Sequence, residues 1–235
     1  MQRYSKITKK FPREFILLQG QGCFWKKCTF CDYYLDISSS YSIINHNVIR
    51  LVTGEFGVLD VINSGSAMEL DVGTLNFLAK ICEIKNIHTI WFEAHWNYHN
   101  FVGSFKRNFQ RKIKKFVINV KFRTGIETFH ADTRKKFNKG ISNDVSPQDV
   151  HKYFDGVCLL AGVNGQKFDI IKQDIGIASE IFEYFSFNVF TQNSKKNVVD
   201  EYLILRLKNE VFPQLIVNPK AELLVKNFDL GVGNL

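Results

Sequence analysis

The chain has 235 residues, 45% of them apolar, and a formal net charge of +8. That is enough for one large domain or one α/β barrel with a proper core. No apolar run approaches the roughly 20 residues of a membrane span, and the start, Met1-Gln2-Arg3-Tyr4-Ser5-Lys6, lacks the apolar centre of a secretory signal. The expectation is a soluble, cytoplasmic protein with no membrane partner.

Hydrophobic periodicity divides the chain into alternating strands and helices. Strands are predicted at Phe15–Leu18, Val58–Ile62, Ile87–Phe92, Phe116–Phe122, Asp155–Leu160 and Tyr184–Phe190. Helices are predicted at Ser42–Val52, Asp71–Glu83, Asn97–Lys114, Ala131–Asn138, Phe168–Phe182 and Val199–Val211. Within Asp71–Glu83, the residues Val72, Leu75, Leu78, Ala79 and Cys82 share one face; within Asn97–Lys114, Phe101, Phe105, Phe109 and Ile113 recur at every fourth position. Such βα alternation means a parallel sheet. Six units suit a partial barrel better than a closed eight-fold one, and ligands then gather at the C-terminal ends of the strands.

Part of the positive charge is local. Lys106, Arg107, Arg111, Lys112, Lys114 and Lys115 lie together with no acid among them. An outer helix with a solvated basic face is the plainer reading, and a nucleic-acid surface the other.

The chemistry-bearing stretch is Gly20–Cys31. It holds Cys23, Cys28 and Cys31 in the spacing C-x4-C-x2-C, on a loop after the strand Phe15–Leu18. Such a loop can aim backbone N–H groups at an inorganic cluster and offset its negative charge. A [4Fe–4S] cube held by three cysteines leaves one iron open for a substrate or cofactor. A structural zinc site wants a fourth ligand, and His46 is the candidate for that alternative. Disulfides are disfavoured by the odd count of five cysteines and by the close spacing. Cys82 and Cys158, each in an apolar stretch, read as ordinary core residues.

The other strand ends carry further candidates. After the second strand comes Asn63-Ser64-Gly65-Ser66, a small polar turn that brings backbone close to a ligand. After the third comes Glu93-Ala94-His95-Trp96-Asn97-Tyr98-His99, dense in polar and aromatic side chains. After the fourth come Arg123-Thr124-Gly125-Ile126-Glu127-Thr128 and then Asn138-Lys139-Gly140. An ordinary turn or surface loop is the competing reading for each.

Taken in order, these segments resemble the radical S-adenosylmethionine (SAM) enzymes. The cysteine loop is a variant of their usual C-x3-C-x2-C, with the aromatic Phe30 just before the last cysteine. Asn63-Ser64-Gly65-Ser66 is similar to the family's second-strand motif, often Gly-Gly-Glu. Gly125-Ile126-Glu127-Thr128 with Asn138-Lys139-Gly140 is similar to a run in the elongator-like branch. The resemblance implies an α/β fold, a partial (β/α)6 radical SAM barrel in a single domain spanning residues 1–235, with 191–235 a C-terminal extension closing the barrel. It implies a [4Fe–4S] cluster on Cys23, Cys28 and Cys31, with SAM on the open iron and split to a 5′-deoxyadenosyl radical. It places SAM contacts at Phe30, Asn63, Ser64, Gly65, Ser66, Arg123, Glu127 and Asn188. Flavodoxin or ferredoxin is the kind of electron donor it implies.

Among minimal members acting on small molecules, the chain looks most like the queuine lyases, which break the exocyclic C–N bond of queuine and release 7-aminomethyl-7-deazaguanine. On that likeness Glu93 and His95 are the catalytic candidates. Glu93, His95, Asn97, Tyr98 and Asp229 are the candidates for holding a 7-deazaguanine base. A carboxylate at Glu93 or Asp229 would accept from the two donors of its guanine-like edge. Radical SAM modification of tRNA or a peptide, and a non-catalytic zinc-binding module, are the alternatives.

Overall fold

The computed structural model describes residues 1–233; residues 234 and 235, the end of the expected segment 191–235, lie outside the described residues. The chain divides into two compact units, one made of Met1–Lys26, Tyr33–Phe122 and the segment from Asn227, the other of Lys27–Asp32 and Arg123–Lys226.

In the first unit, β1 (Tyr4–Ile7) pairs antiparallel with β2 (Arg13–Leu18). From there β2, β3 (Val58–Asn63) and β4 (Thr89–Glu93) run parallel in chain order. The apolar run Phe15-Ile16-Leu17-Leu18 suits β2, because a strand with neighbours on both sides and cover on both faces needs no polar alternation. Helix α1 (Tyr41–Ile49) follows β2 and α2 (Val72–Ile84) follows β3. Asp71 caps α2, its carboxylate accepting Thr74 N–H at 2.9 Å.

Helix α3 (His99–Lys112) follows β4 and buries Val102 and Phe109. Phe92 of β4 meets Phe105 and Phe109 edge-on, with centroids 5.1 and 5.3 Å away. Phe101 departs from the predicted stripe and is 58% exposed. A period of 3.6 lets the face run Val102, Phe105, Phe109, and a strict count of four drifts off it. The basic residues Arg107, Arg111, Lys112, Lys114 and Lys115 are exposed, as a solvated face requires.

Strand β5 (Asn119–Glu127) starts in the first unit and continues into the second. There its second half pairs parallel with β6 (Gly156–Ala161), β6 with β7 (Tyr184–Val189), and β7 with β8 (Ala221–Leu224). The connections carry α4 (Ala131–Lys136), α5 (Pro147–His151), α6 (Phe168–Ile181), α7 (Glu201–Glu210) and α8 (Phe212–Val217). Phe187 of β7 packs against Phe212 at 6.4 Å.

Other features depart from the sequence reading as well: β1 and α5 were not predicted. The fourth strand does not stop at Phe122; Arg123–Glu127 is strand, not loop. The segment after residue 190 holds β8 and α8 as well as the predicted helix. Cys158 is half-buried rather than in the core, whereas Cys82 is fully buried and its thiol pKa is raised by desolvation.

Arg13 and Asp60 form an ion pair at 2.9 Å with side chains 4% and 1% exposed. Removing one partner takes a counter-charge away from the other in the interior. Asp60→Ala is therefore expected to cost about 3–5 kcal/mol in urea unfolding, while the double change Arg13→Met with Asp60→Leu recovers most of it. An Asp60→Ala chain as stable as the parent would contradict the burial of the pair.

Candidate active site

The strand-end loops of the first unit are tied together by Glu69, at the end of the short 3-10 turn Ala67–Glu69. One carboxylate oxygen accepts Phe24 N–H at 2.9 Å and the Tyr98 hydroxyl at 3.0 Å; the other accepts Ser66 N–H at 2.8 Å. These donors lie on the loops after β2, β4 and β3 in turn. Ser66 closes a capping box with Glu69, and its own hydroxyl accepts His95 N–H at 2.9 Å. Tyr98 is held as a neutral donor, its pKa pushed up to about 12 by burial first and by the Glu69 charge second.

Gly65 sits inside this knot. A Cβ there would collide with the Glu69 carboxylate and come within 3.0 Å of Cys23 Cα, so only glycine lets the loops after β2 and β3 approach. Ser64 is 4% exposed, and its hydroxyl is buried without a hydrogen-bond partner. An orphaned polar atom at the tip of a strand-end turn suits a ligand with polar groups of its own. Asn63 donates to Ser66 O at 3.2 Å and holds the turn. His95 accepts Asn97 N–H on Nδ1 at 3.2 Å and stacks on Trp25 at 5.7 Å. Glu93 ends β4, half-buried, and Asn97 is exposed. Asp229 is exposed on a turn that Ser5 holds through Leu230 O. His46, the zinc alternative's fourth ligand, lies on α1 with its ring 4.6 Å from that of Phe77.

The second unit carries the other half of the cysteine loop. Thr29 N–H donates to Phe137 O at 3.0 Å, Asn138 Nδ2 to Lys27 O at 3.0 Å, and Asn193 Nδ2 to Phe30 O at 2.7 Å. The Phe30 ring meets Phe137 edge-on at 5.3 Å. Glu127 ends β5, buried, and takes Lys139 Nζ at 2.8 Å. Arg123 lies elsewhere, level with Gly156 and Tyr184 at the starts of β6 and β7, with its guanidinium 6.0 Å from the Tyr184 ring. Asn188, near the end of β7, donates to Leu159 O at 3.0 Å. A pocket of about 320 Å³ opens beside α4, lined among others by Thr133, Lys136, Asn164, Gln166, Lys196 and Asn197.

None of the five cysteines is in a disulfide. Among the described residues no three His, Cys, Asp or Glu side chains converge as a cage for one ion. Thiols that each bind a different iron of a cube need not converge on a point as zinc ligands do. In the second unit, the soft sulfur donors Cys28 and Cys31 and the buried Lys139 ammonium suit an anionic iron–sulfur cluster; in the first, Gly65 clears the approach to Cys23.

Two of these residues were not singled out by sequence reasoning. Glu69 had a signal, the Ser66-x-x-Glu69 pattern of a capping box. Lys139 had only its place in a short motif, since lysine is almost never buried unless paired.

No protein-family model matches the chain, and no curated protein matches it. Several solved structures are similar, two of them as follows. A queuine lyase from Clostridium spiroforme, bound to SAM and queuine, shares 36% identity over 100% of both chains with a TM-score of 0.92. Streptococcus suis SuiB bound to S-adenosylmethionine shares 15% identity over 92% of this chain and 48% of that one, with a TM-score of 0.55, a likeness of fold. Together with the three-cysteine loop, these define a radical SAM enzyme built on the α/β partial barrel. Within that class, the identity along the whole length places the chain in the queuine lyase family.

Asp174 of α6 anchors the turn after Glu127, accepting from the Thr128 hydroxyl at 2.6 Å and Phe129 N–H at 2.8 Å. Burial pushes its pKa up to about 6, above the ordinary value of about 4. The folded chain then holds an extra proton between those values and loses stability as pH rises through that window. The stability of Asp174→Asn relative to the parent is expected to rise between about pH 4 and pH 6, by on the order of 3 kcal/mol at most. Urea midpoints across that range test it, and a gap that stays flat or shrinks contradicts it.

Proposed function

We propose that this protein is a cytoplasmic radical SAM lyase that cleaves the exocyclic C–N bond of queuine to release 7-aminomethyl-7-deazaguanine. The observation that carries the reading is the full-length likeness to a queuine lyase with SAM and queuine bound. No helix among the described residues is long and apolar enough to cross a membrane.

Cys23, Cys28 and Cys31 supply three thiolates to a [4Fe–4S] cluster. Bound there together with SAM, such a cluster would supply the one-electron cleavage of the sulfonium that generates a hydrogen-abstracting 5′-deoxyadenosyl radical. The chain's own work is positional. Glu69 holds the loop of Cys23 against the turn at Gly65 and against Tyr98. The orphaned Ser64 hydroxyl and the Asn63–Ser66 backbone offer polar contacts to the methionine end of SAM. Phe30, Glu127 and Asn188 complete the cofactor side, and Arg123, level with the strand starts, supports the interior. Glu93 accepts from the donors of the deazaguanine edge, with His95, Asn97 and Tyr98 around it and Asp229 as the second candidate carboxylate. The segment from residue 191 closes the barrel over the substrate. Flavodoxin or ferredoxin supplies the electron.

Anaerobic reconstitution is expected to give a brown protein with about four irons and four sulfides per chain. Changing any of Cys23, Cys28 or Cys31 to Ala should remove the cluster and SAM cleavage together, whereas Cys82→Ala and Cys158→Ala keep both. A colourless protein holding one zinc would return the chain to a binding module.

Substrate recognition is tested by queuine titration with SAM present. Glu93→Gln sets a donor against a donor and should weaken binding by about 2–5 kcal/mol, with substrate-free deoxyadenosine formation little changed. If the parent does not bind queuine, or if both Glu93→Gln and Asp229→Asn bind it as tightly, the lyase reading fails.

A further inference from the structure

Lys139 is a buried lysine, 8% exposed, in the second unit. It forms an ion pair with Glu127, at 2.8 Å. Glu127 itself stands at φ +64°, in the left-handed region that a non-glycine residue seldom occupies. Gly125 makes room for the pair: a Cβ there would collide with the Glu127 carboxylate and lie 3.0 Å from Lys139 Nζ. So the chain accepts backbone strain, a glycine inside a strand and the desolvation of two charges to seat one ammonium. An apolar residue in its place would avoid all three.

The position explains what the ammonium faces. Lys139 Nζ lies 5.6 Å from the centroid of the Phe30 ring, and Phe30 stands between Cys28 and Cys31. The strand of chain carrying Lys139 is lashed to the cysteine loop by Thr29 N–H to Phe137 O and by Asn138 Nδ2 to Lys27 O, each at 3.0 Å. Burial opposes the charge on Lys139, but Glu127 and then the Cys28 and Cys31 thiolates overcome it, and the ammonium is held above the usual lysine range. It stays a cation at any working pH.

We propose that Lys139 tunes the reduction potential of the cluster, its fixed charge behind Phe30 favouring the reduced, more negative state. This rests on the proposed cluster at Cys23, Cys28 and Cys31. Cluster potentials respond to net charge, hydrogen bonds and solvent exposure, and a unit charge in a low-dielectric interior acts over several ångströms. Glu127 orients the ammonium and opposes its field.

The test is an EPR-monitored potentiometric titration of reconstituted protein without SAM, so that no contact between Lys139 and SAM contributes. Lys139→Met should move the potential to more negative values by at least the 59 mV that makes a one-electron reduction tenfold harder, with four irons retained. Lys139→Arg, which keeps the charge, should move it by less than half as much. Glu127→Gln, which keeps the ammonium and removes its counter-charge, should move it the other way. If Lys139→Met loses its iron, the sign of the Glu127→Gln shift decides. An unshifted Lys139→Met with its cluster intact, or a Glu127→Gln potential unshifted or more negative, overturns the proposal alone. A parent protein that binds no cluster overturns the underlying reading as well.

Discussion

The first unit depends on one carboxylate. Glu69 receives three hydrogen bonds, from Phe24, Tyr98 and Ser66, and each donor belongs to the loop after a different strand. A parallel sheet delivers its strand ends side by side but does nothing to fix the loops that follow. Those loops must be fixed for a site made from several of them to have one geometry. A single half-buried acceptor does this economically, because a carboxylate offers about four lone-pair directions. It also makes the loops interdependent. Glu69 needs the space at Gly65, and Gly65 is what brings backbone close to Cys23.

The second unit solves a related problem with charge. Phe30 is held on three sides, by Phe137, by Asn193 and by Lys139. Lys139 is held by Glu127, Glu127 sits at the bulge where β5 shifts register against β6, and Asp174 pins the turn that follows. The strain at Glu127 thus persists because its neighbours over-determine it. Each unit has a close approach that glycine alone permits, Gly65 in the first and Gly125 in the second.

Much of this was legible in the sequence, for physical reasons that differ by element. The central strands and the longer helices announce themselves because burial forces their periodicity. Strand β1, Tyr-Ser-Lys-Ile, does not, since an edge strand needs only a half-buried face. Strand β8, Ala-Glu-Leu-Leu, carries helix-favouring residues and is held by pairing with β7. The end of β5 was hidden by Arg123 and Gly125, which look like loop residues and are buried in strand. The cysteine spacing was plain because ligand chemistry restricts it. Glu69 was readable as a cap, but its reach to Phe24 and Tyr98 is tertiary and leaves no local mark. The burial of Lys139 leaves none either.

The period of two in the strands also separates core from site, which composition could not. By composition alone Trp91, Phe92 and Phe187 are aromatic alike. In β4, Ile90 and Phe92 are fully buried, and Phe92 lies under the phenylalanines of α3. Trp91 and Glu93 must then point to the other face. In β7, Phe185 and Phe187 are buried, with Phe187 against α8, so Tyr184, Ser186 and Asn188 share the face away from the helices. The strand phenylalanines of β4 and β7 thus face the helix layer, whereas Phe15 of β2 shares the opposite face with Asp60 and Trp91. Glu93 therefore shares the face of Trp91 and Asp60, opposite its apolar neighbour Phe92.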